Sequence, residues 1–235
     1  MVDPYEIHVL KCATDSTDLL VELSLRPLET ISAALSKLKG RISKWLNEPT
    51  EVKGPTLSNG YFACTVGKSK KDVVDRYLDG QSEHHGYSRR VNAPVLVTSY
   101  ELIEEEKERI TPKHAVVTSQ FHIVLATRSR KGVFGSHSGS CVVKEWLALQ
   151  REMRFALLKN SFAPDHVHIA LRAHPTVSPG NIACALMNRS QIVMRNEMAS
   201  IGINQLWQPS AYIGAYGDMG SAQIRKYIGN WSDRA

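Results

Sequence analysis

The apolar positions of the chain switch between the two-residue period of strands and the three-to-four-residue period of helices, and they do so twice. Two short runs rich in branched residues, 6–12 and 18–26, flank a Thr/Asp/Ser turn and predict a hairpin. Ile31, Leu35, Leu38, Ile42, Trp45 and Leu46 then recur at helical spacing behind Thr30 and Ser32, either of which can cap a helix reaching about residue 46. After a loop rich in Pro, Gly and Asn, residues 61–66 read as a strand closed by Gly67. Ser69 is placed to cap a second helix over 70–80, with Val73, Val74, Tyr77 and Leu78 as its apolar stripe. Gln81 follows Tyr77 by four residues and so lies one turn from it.

Residues 82–113 are polar and charged, with the run 104–109 closed by Thr111-Pro112, and read as a partly helical connector. His84 and His85 fall in this polar stretch, where adjacent histidines are commonly solvated. The pattern then restarts. Residues 115–126 form a long strand ending in the basic turn Thr127-Arg-Ser-Arg-Lys-Gly132. Residues 142–158 predict an amphipathic helix grading into a strand near 155–158, and a second apolar strand covers 165–171. Ser178-Pro179 opens a helix through about 198, because Pro is preorganised for the first helical turn. A turn at 205–209, a strand at 212–216 and a helix from Ser221 containing Ile224, Tyr227 and Ile228 complete the chain.

Laid side by side, the halves repeat hairpin, helix, Pro-containing loop, strand beginning with Tyr, Gly, and helix with Tyr. Leu38-Lys-Gly-Arg41 stands opposite Leu186-Met-Asn-Arg189 at an offset of 148, and Gly67 and Tyr77 stand opposite Gly217 and Tyr227 at an offset of 150. The expected organisation is a first half over 1–90, a connector over 91–113 and a second half over 114–235. The first half has no counterpart of the strand at 115–126.

The candidate chemistry sits on the strand Asp165-His-Val-His-Ile-Ala-Leu171. Side chains at i and i+2 share a face of a strand, so His166 and His168 can present two imidazoles to one point, which is how a strand offers two metal ligands. At the repeat offset of 148 their places are taken by Asp18 and Leu20. Composition adds little more. The 235 residues are 43% hydrophobic, sufficient for a core, and the net charge of +6 with a pI near 9.1 fits a polyanionic partner without requiring one. Four widely spaced cysteines and the lack of a membrane-length apolar run predict a reduced, cytoplasmic protein with no membrane association.

Five stretches together resemble the single-tyrosine HUH transposases of small bacterial insertion sequences: His122-Ile-Val-Leu-Ala-Thr127-Arg-Ser-Arg-Lys131, Pro164-Asp-His-Val-His168, Leu38-Lys-Gly-Arg-Ile-Ser43, Tyr61-Phe-Ala-Cys-Thr-Val-Gly67 and Arg76-Tyr77-Leu-Asp-Gly-Gln81. The resemblance implies an α+β fold: two ferredoxin-like antiparallel sheets with helices, arranged as a pseudo-dimer in one chain. It implies cutting and rejoining of single-stranded or hairpin DNA through a phosphotyrosine intermediate. By the same resemblance His166, His168 and Gln81 would hold a divalent metal, Mg or Mn, which neutralises charge on a phosphate. Tyr77 would be the nucleophile, with Tyr227 the second candidate; the place one turn after Tyr227 is Trp231, which cannot ligate a metal. Because family members build the site in trans, a fused pair would keep one composite site. Arg128, Arg130, Lys131, Lys39 and Arg41 are the expected DNA-phosphate contacts, Trp45, Trp207 and Tyr87 are available for stacking, and a further homodimer stays open.

The sequence also accommodates two other readings. One is a domesticated, catalytically inactive protein that grips single-stranded or hairpin DNA. The other is an unrelated hydrolase using the histidine pair directly on a phosphoester.

Overall fold

The structure, a computed structural model, describes residues 7–15, 17–48, 57–81 and 96–232, without the side chains of residues 197, 227 and 229–232. His84, His85 and Tyr87, the boundary at 90/91, and the side chains of Tyr227 and Trp231 therefore lie outside the described residues.

The second half is built as β6 (Gln120–Thr127), α4 (Ser136–Met153), β7 (Phe155–Ala163), β8 (His166–Ala173), α5 (Pro179–Val193), the short α6 (Arg195–Ser200), β9 (Trp207–Tyr216) and α7 (Ser221–Ser232). Its strands lie in the order β7-β8-β6-β9, each pair antiparallel, and the order of elements is that of a ferredoxin-like fold. One sheet face presents Ile123, Leu125, Val167, Ile169 and Leu171, which are buried with Trp146 of α4 and Ile182 and Leu186 of α5. Alternation along the same strands therefore sends His122, His166 and His168 to the opposite face.

Several boundaries move from their expected places. Helix α4 starts six residues early, at Ser136 behind Gly135, and ends at Arg154, whose left-handed φ of 55° stops it so that β7 begins at once. No glycine marks that stop. Gln208 and Pro209, expected in a turn, belong to β9; this is an edge strand, where proline's missing N–H is tolerated. The connector supplies β4 (Leu96–Ser99), which extends the sheet antiparallel to β7, and α3 (Glu104–Ile110).

The first half repeats only the later part of this plan: the hairpin β1 (Ile7–Thr14) and β2 (Leu19–Leu25), α1 (Ile31–Asn47), β3 (Phe62–Cys64) and α2 (Lys71–Asp79). Without an opening strand of its own, β3 pairs in parallel with β5 (Val116–Thr118), just upstream of β6.

The two copies meet at a backbone crossing with two-fold logic. Gly67 bridges Gly220 while Lys70 bridges Gly217, and Ser221 N donates to Gly67 O at 2.9 Å while Lys71 N donates to Gly217 O at 3.0 Å. Subtracting the repeat offset of 150 turns each contact into the other, the signature of an isologous interface. Contact this close excludes side chains. A Cβ at Gly67 would lie 1.9 Å from Ala215 O, and one at Gly217 would lie 2.2 Å from Thr65 O.

Beyond the crossing each copy's last helix packs on the other copy's sheet. Helix α2 lies against β7 and α7 against β1. Val74 and Leu78 of α2 are buried with Leu158, Ala170 and Tyr216 of the second half. Burial of that valine and leucine stabilises the docked helix by roughly 3–6 kcal/mol before entropy is counted. Lys159 pairs with Asp79 of α2 at 2.9 Å, and Lys11, its counterpart 148 residues earlier, reaches Arg225 O of α7 at 2.8 Å.

Replacing Gly67 by Ala is expected to destabilise the fold by at least about 2 kcal/mol, because backbone rather than a flexible side chain must yield. Gly40→Ala, inside α1 with open space around it, is expected to stabilise by about 0.5–1 kcal/mol. Urea unfolding of both variants checks this, and a Gly67→Ala protein as stable as the parent would contradict the crossing as a constraint.

Candidate active site between the two halves

His166 and His168 are fixed by β8, which is hydrogen-bonded on both sides, to β6 and β7. Their rings are only 2% and 5% exposed as residues and stand 5.0 Å apart between centroids, at 79° to each other. Asp165, in the turn before the strand, places Oδ1 2.6 Å from His166 Nδ1, and Arg130 Nε holds the other carboxylate oxygen at 2.8 Å. A carboxylate so close takes a hydrogen bond from Nδ1 and orients the ring, with Nε2 on its far side.

The bare face that carries these histidines is covered by α2 of the first half. Lys70, not Ser69, occupies the cap position of α2, and Ser69 instead lines the cleft beneath it. Tyr77 projects from α2 with its ring edge-on to His168, 5.2 Å between centroids, and 6.1 Å from His122. The structure thus brings together Tyr77 and the histidine pair from opposite halves of the chain. Gln81 is fully buried one turn on, where its Nε2 donates to Tyr77 O at 2.8 Å. Val74 on α2 and Val124 on β6 supply apolar walls to an open cleft of about 410 Å³.

Two cleft residues were missed in the sequence. His122 lies one strand over from His168, with its Nε2 3.0 Å from His168 Nδ1. The centroids are 5.2 Å apart at only 23°, so the nitrogens meet edge to edge between nearly coplanar rings. Burial pushes the His122 pKa down to about 4, so the ring is neutral at physiological pH. Alternation along β6 could have placed it on the histidine face. Tyr212 of β9 forms the far wall, 5.8 Å from His122 between centroids.

The predicted basic contacts are largely engaged within the chain. Lys39 reaches the carbonyls of Ser58, Asn59 and Gly60, Arg128 donates to Gln205 at 2.6 Å, and Arg130 holds Asp165. Arg41 also has an interaction partner, and Lys131 is exposed at the end of the same turn as Arg130. Ser129 and Arg130 both adopt φ of 54°, left-handed backbone that turns the chain sharply beside His166.

The donor set can be tested against a divalent cation. His166 has its Nδ1 engaged by Asp165 and His168 its Nδ1 by His122, so a metal would meet either ring at Nε2, and Gln81 carries an amide oxygen one turn from Tyr77. Two nitrogens and an amide oxygen suit a cation that takes its other ligands from phosphate and water. Among the described residues no group of three or more His, Cys, Asp or Glu could hold a metal by itself. No described helix is long and apolar enough to cross a membrane.

Comparison with known proteins gives one family: residues 3–81 and 115–231 match the family described as Transposase IS200 like. Among solved structures, the chain is similar to a provisionally assigned transposase of Deinococcus radiodurans R1, with 22% identity, coverage of 52% of this chain and 96% of that one, and a TM-score of 0.40. It is also similar to a REP-associated tyrosine transposase bound to a REP hairpin, with 13% identity, coverage of 47% of this chain and 62% of that one, and a TM-score of 0.33. No curated protein compared with the chain matches it.

The neutral state of His122 sets an acid limit on stability. Unfolded, the ring takes up a proton near its ordinary pKa of 6.5; folded, it does so only near 4, so stability is full above about 6.5 and falls as pH drops through that window. The expected loss is on the order of 2–3 kcal/mol. Urea midpoints between pH 8 and 4 check it, with a shallower decline in His122→Gln; an unchanged decline would remove His122 as its source.

Proposed function

The chain belongs to the IS200-like transposase family, matched over most of both halves, and from that premise we propose a single-strand DNA nickase and ligase with one composite site per chain. The supporting observation is the contact of Tyr77, from the first copy, with His168, from the second, across the crossing. In this reading the Tyr77 oxygen forms a bond to the phosphorus of a single-stranded or hairpin DNA as the bond to the departing strand oxygen breaks. The phenolic proton passes to solvent and the departing oxygen takes one up. Since one phosphoester replaces another, rejoining needs no nucleotide cofactor.

Within the site His166, His168 and Gln81 would hold a divalent metal, Mg or Mn. Bound there, the ion supplies Lewis-acid neutralisation of charge on the scissile phosphate. The chain's own contributions are positional. Asp165 and Arg130 fix the ring of His166, His122 fixes that of His168, and the buried base of α2 holds Tyr77 over both. Arg128, Arg130, Lys131, Lys39 and Arg41 remain candidate phosphate contacts, to the extent that DNA competes for their present partners.

The mirror position supports a single site. There α7 packs on the hairpin of the first half, where Asp18 and Leu20 stand in place of the histidines, and Arg225 Nε is instead tied to Glu22 Oε2 at 3.0 Å. Neither Leu20 nor an exposed Asp18 recreates a pair of imidazoles. Completion of the site requires no second chain, although two chains can still associate. The alternative of an inactive DNA-gripping descendant draws on the same mirror position, where one of the two half-sites has no histidines.

Incubation with a labelled pool of single-stranded hairpin oligonucleotides and Mg²⁺ or Mn²⁺ is expected to give a covalent adduct on a denaturing gel. Tyr77→Phe should abolish the adduct, His168→Ala and chelation should reduce it at least about a hundredfold, on the scale of losing a group acting on the transition state, and Tyr227→Phe should leave it. An adduct that survives Tyr77→Phe and vanishes with Tyr227→Phe would overturn the composite site. Salt-sensitive binding with no adduct in any metal would favour the inactive reading.

A further inference from the structure

The two copies each keep an exposed aromatic ring just before the crossing. At the offset of 150 that relates the two sides of the crossing, Tyr212 of β9 stands opposite Phe62 of β3, and the two are 60% and 69% exposed. The ring of Tyr212 forms a wall of the cleft that Tyr77 also lines.

The ring of Tyr212 has a seat made for it. A Cβ at Gly214, two residues on and on the same strand face, would lie 2.6 Å from Tyr212 Oη and 3.1 Å from two ring carbons. The absence of a side chain at 214 therefore lets the ring lie back along the sheet beside His122 rather than project into solvent. Lys68 borders the adjoining recess, which also contains Gly214 and His122, and makes no ion pair among the described residues.

A seated aromatic exposed to a cleft, with a cation beside it, is the arrangement that binds one unpaired base and its phosphate. We propose that Tyr212 is a stacking platform for a nucleobase of single-stranded DNA, the base next to the phosphate presented to Tyr77, with Lys68 meeting the neighbouring phosphate. This deepens the reading of the same site as a DNA nickase and rests on it for the identity of the strand. The platform acts by stacking, so it needs the ring of Tyr212 and not its hydroxyl. It also selects unpaired DNA, since a base held in a duplex has no free face.

The test is equilibrium binding, without metal, of a fluorescent mixed-sequence single-stranded DNA of about 20 nucleotides, long enough to span a typical single-strand site, and of an abasic chain of the same length. Tyr212→Ala is expected to weaken binding of the base-containing strand roughly 5- to 100-fold, while binding of the abasic chain stays unchanged. Tyr212→Phe should restore binding to within about threefold of the parent, and Gly214→Ala, which fills the ring's seat, should reproduce much of the loss. Thermal melting confirms that each variant is folded. Parental binding by Tyr212→Ala, or an equal loss on the abasic chain, overturns the platform, as does a parent that binds no single-stranded DNA. A covalent adduct that forms normally in Tyr212→Ala would sink the platform and spare the nickase. The predicted binding pattern without any adduct would do the reverse.

Discussion

Everything at the site depends on two glycines through which the halves of the chain cross. At Gly67 and Gly217 backbone passes backbone at a separation that leaves no room for a β-carbon, and the flanking amides of Lys71 and Ser221 bind across the crossing. The crossing fixes where α2 and α7 begin, and therefore which sheet each helix covers. Because Lys71 starts α2 on the second half's side, the stripe of Val74 and Leu78 reaches Ala170 and Tyr216 and carries Tyr77 to the histidine face. The mirror contacts are equally intact around Gly217. At the crossing itself the asymmetry thus lies in side chains, not in backbone.

That separation accounts for what duplication permits. A homodimer that exchanges helices has two equal sites, and a fused copy can lose the chemistry of one without losing the packing that shapes the other. Here the retained packing is visible in the paired lysines, Lys159 to Asp79 and Lys11 to the carbonyl of Arg225. Contacts of this kind with one partner in solvent contribute little energy each, so their recurrence in both copies reflects common geometry more than stability. Where His166 and His168 stand in the second half, the first has Asp18 and Leu20, and the first half has also dispensed with the opening strand and helix of the fold.

Much of this was legible in the sequence because it rests on period and spacing. The histidines' shared face follows from their two-residue separation, and the repeat offset carried both the two-fold relation and the loss of the second imidazole pair. The parts that were not legible depend on tertiary partners. Arg154 ends α4 in a left-handed conformation that nothing in its side chain signals, Ser69 looks like a cap but faces the cleft, and the strand expected over 115–126 divides into β5, which pairs with β3, and β6. Charge alone did not show the partners these cations have within the chain: Lys39 gathers loop carbonyls, and Arg130 clamps the carboxylate that orients His166. His122 was hidden for the same reason: one histidine on an apolar strand gains meaning only when β8 brings His168 within 3.0 Å.

The central claim is that one chain supplies both halves of its own site. Mixing two inactivated chains tests it most directly, one carrying Tyr77→Phe with the histidines intact and the other carrying His166→Ala and His168→Ala with Tyr77 intact, and measuring covalent adduct with single-stranded DNA. A site assembled within the chain predicts that the mixture stays as inactive as either protein alone. Recovery of adduct on mixing would show that Tyr77 reaches the histidines of a neighbouring molecule, and would contradict the account.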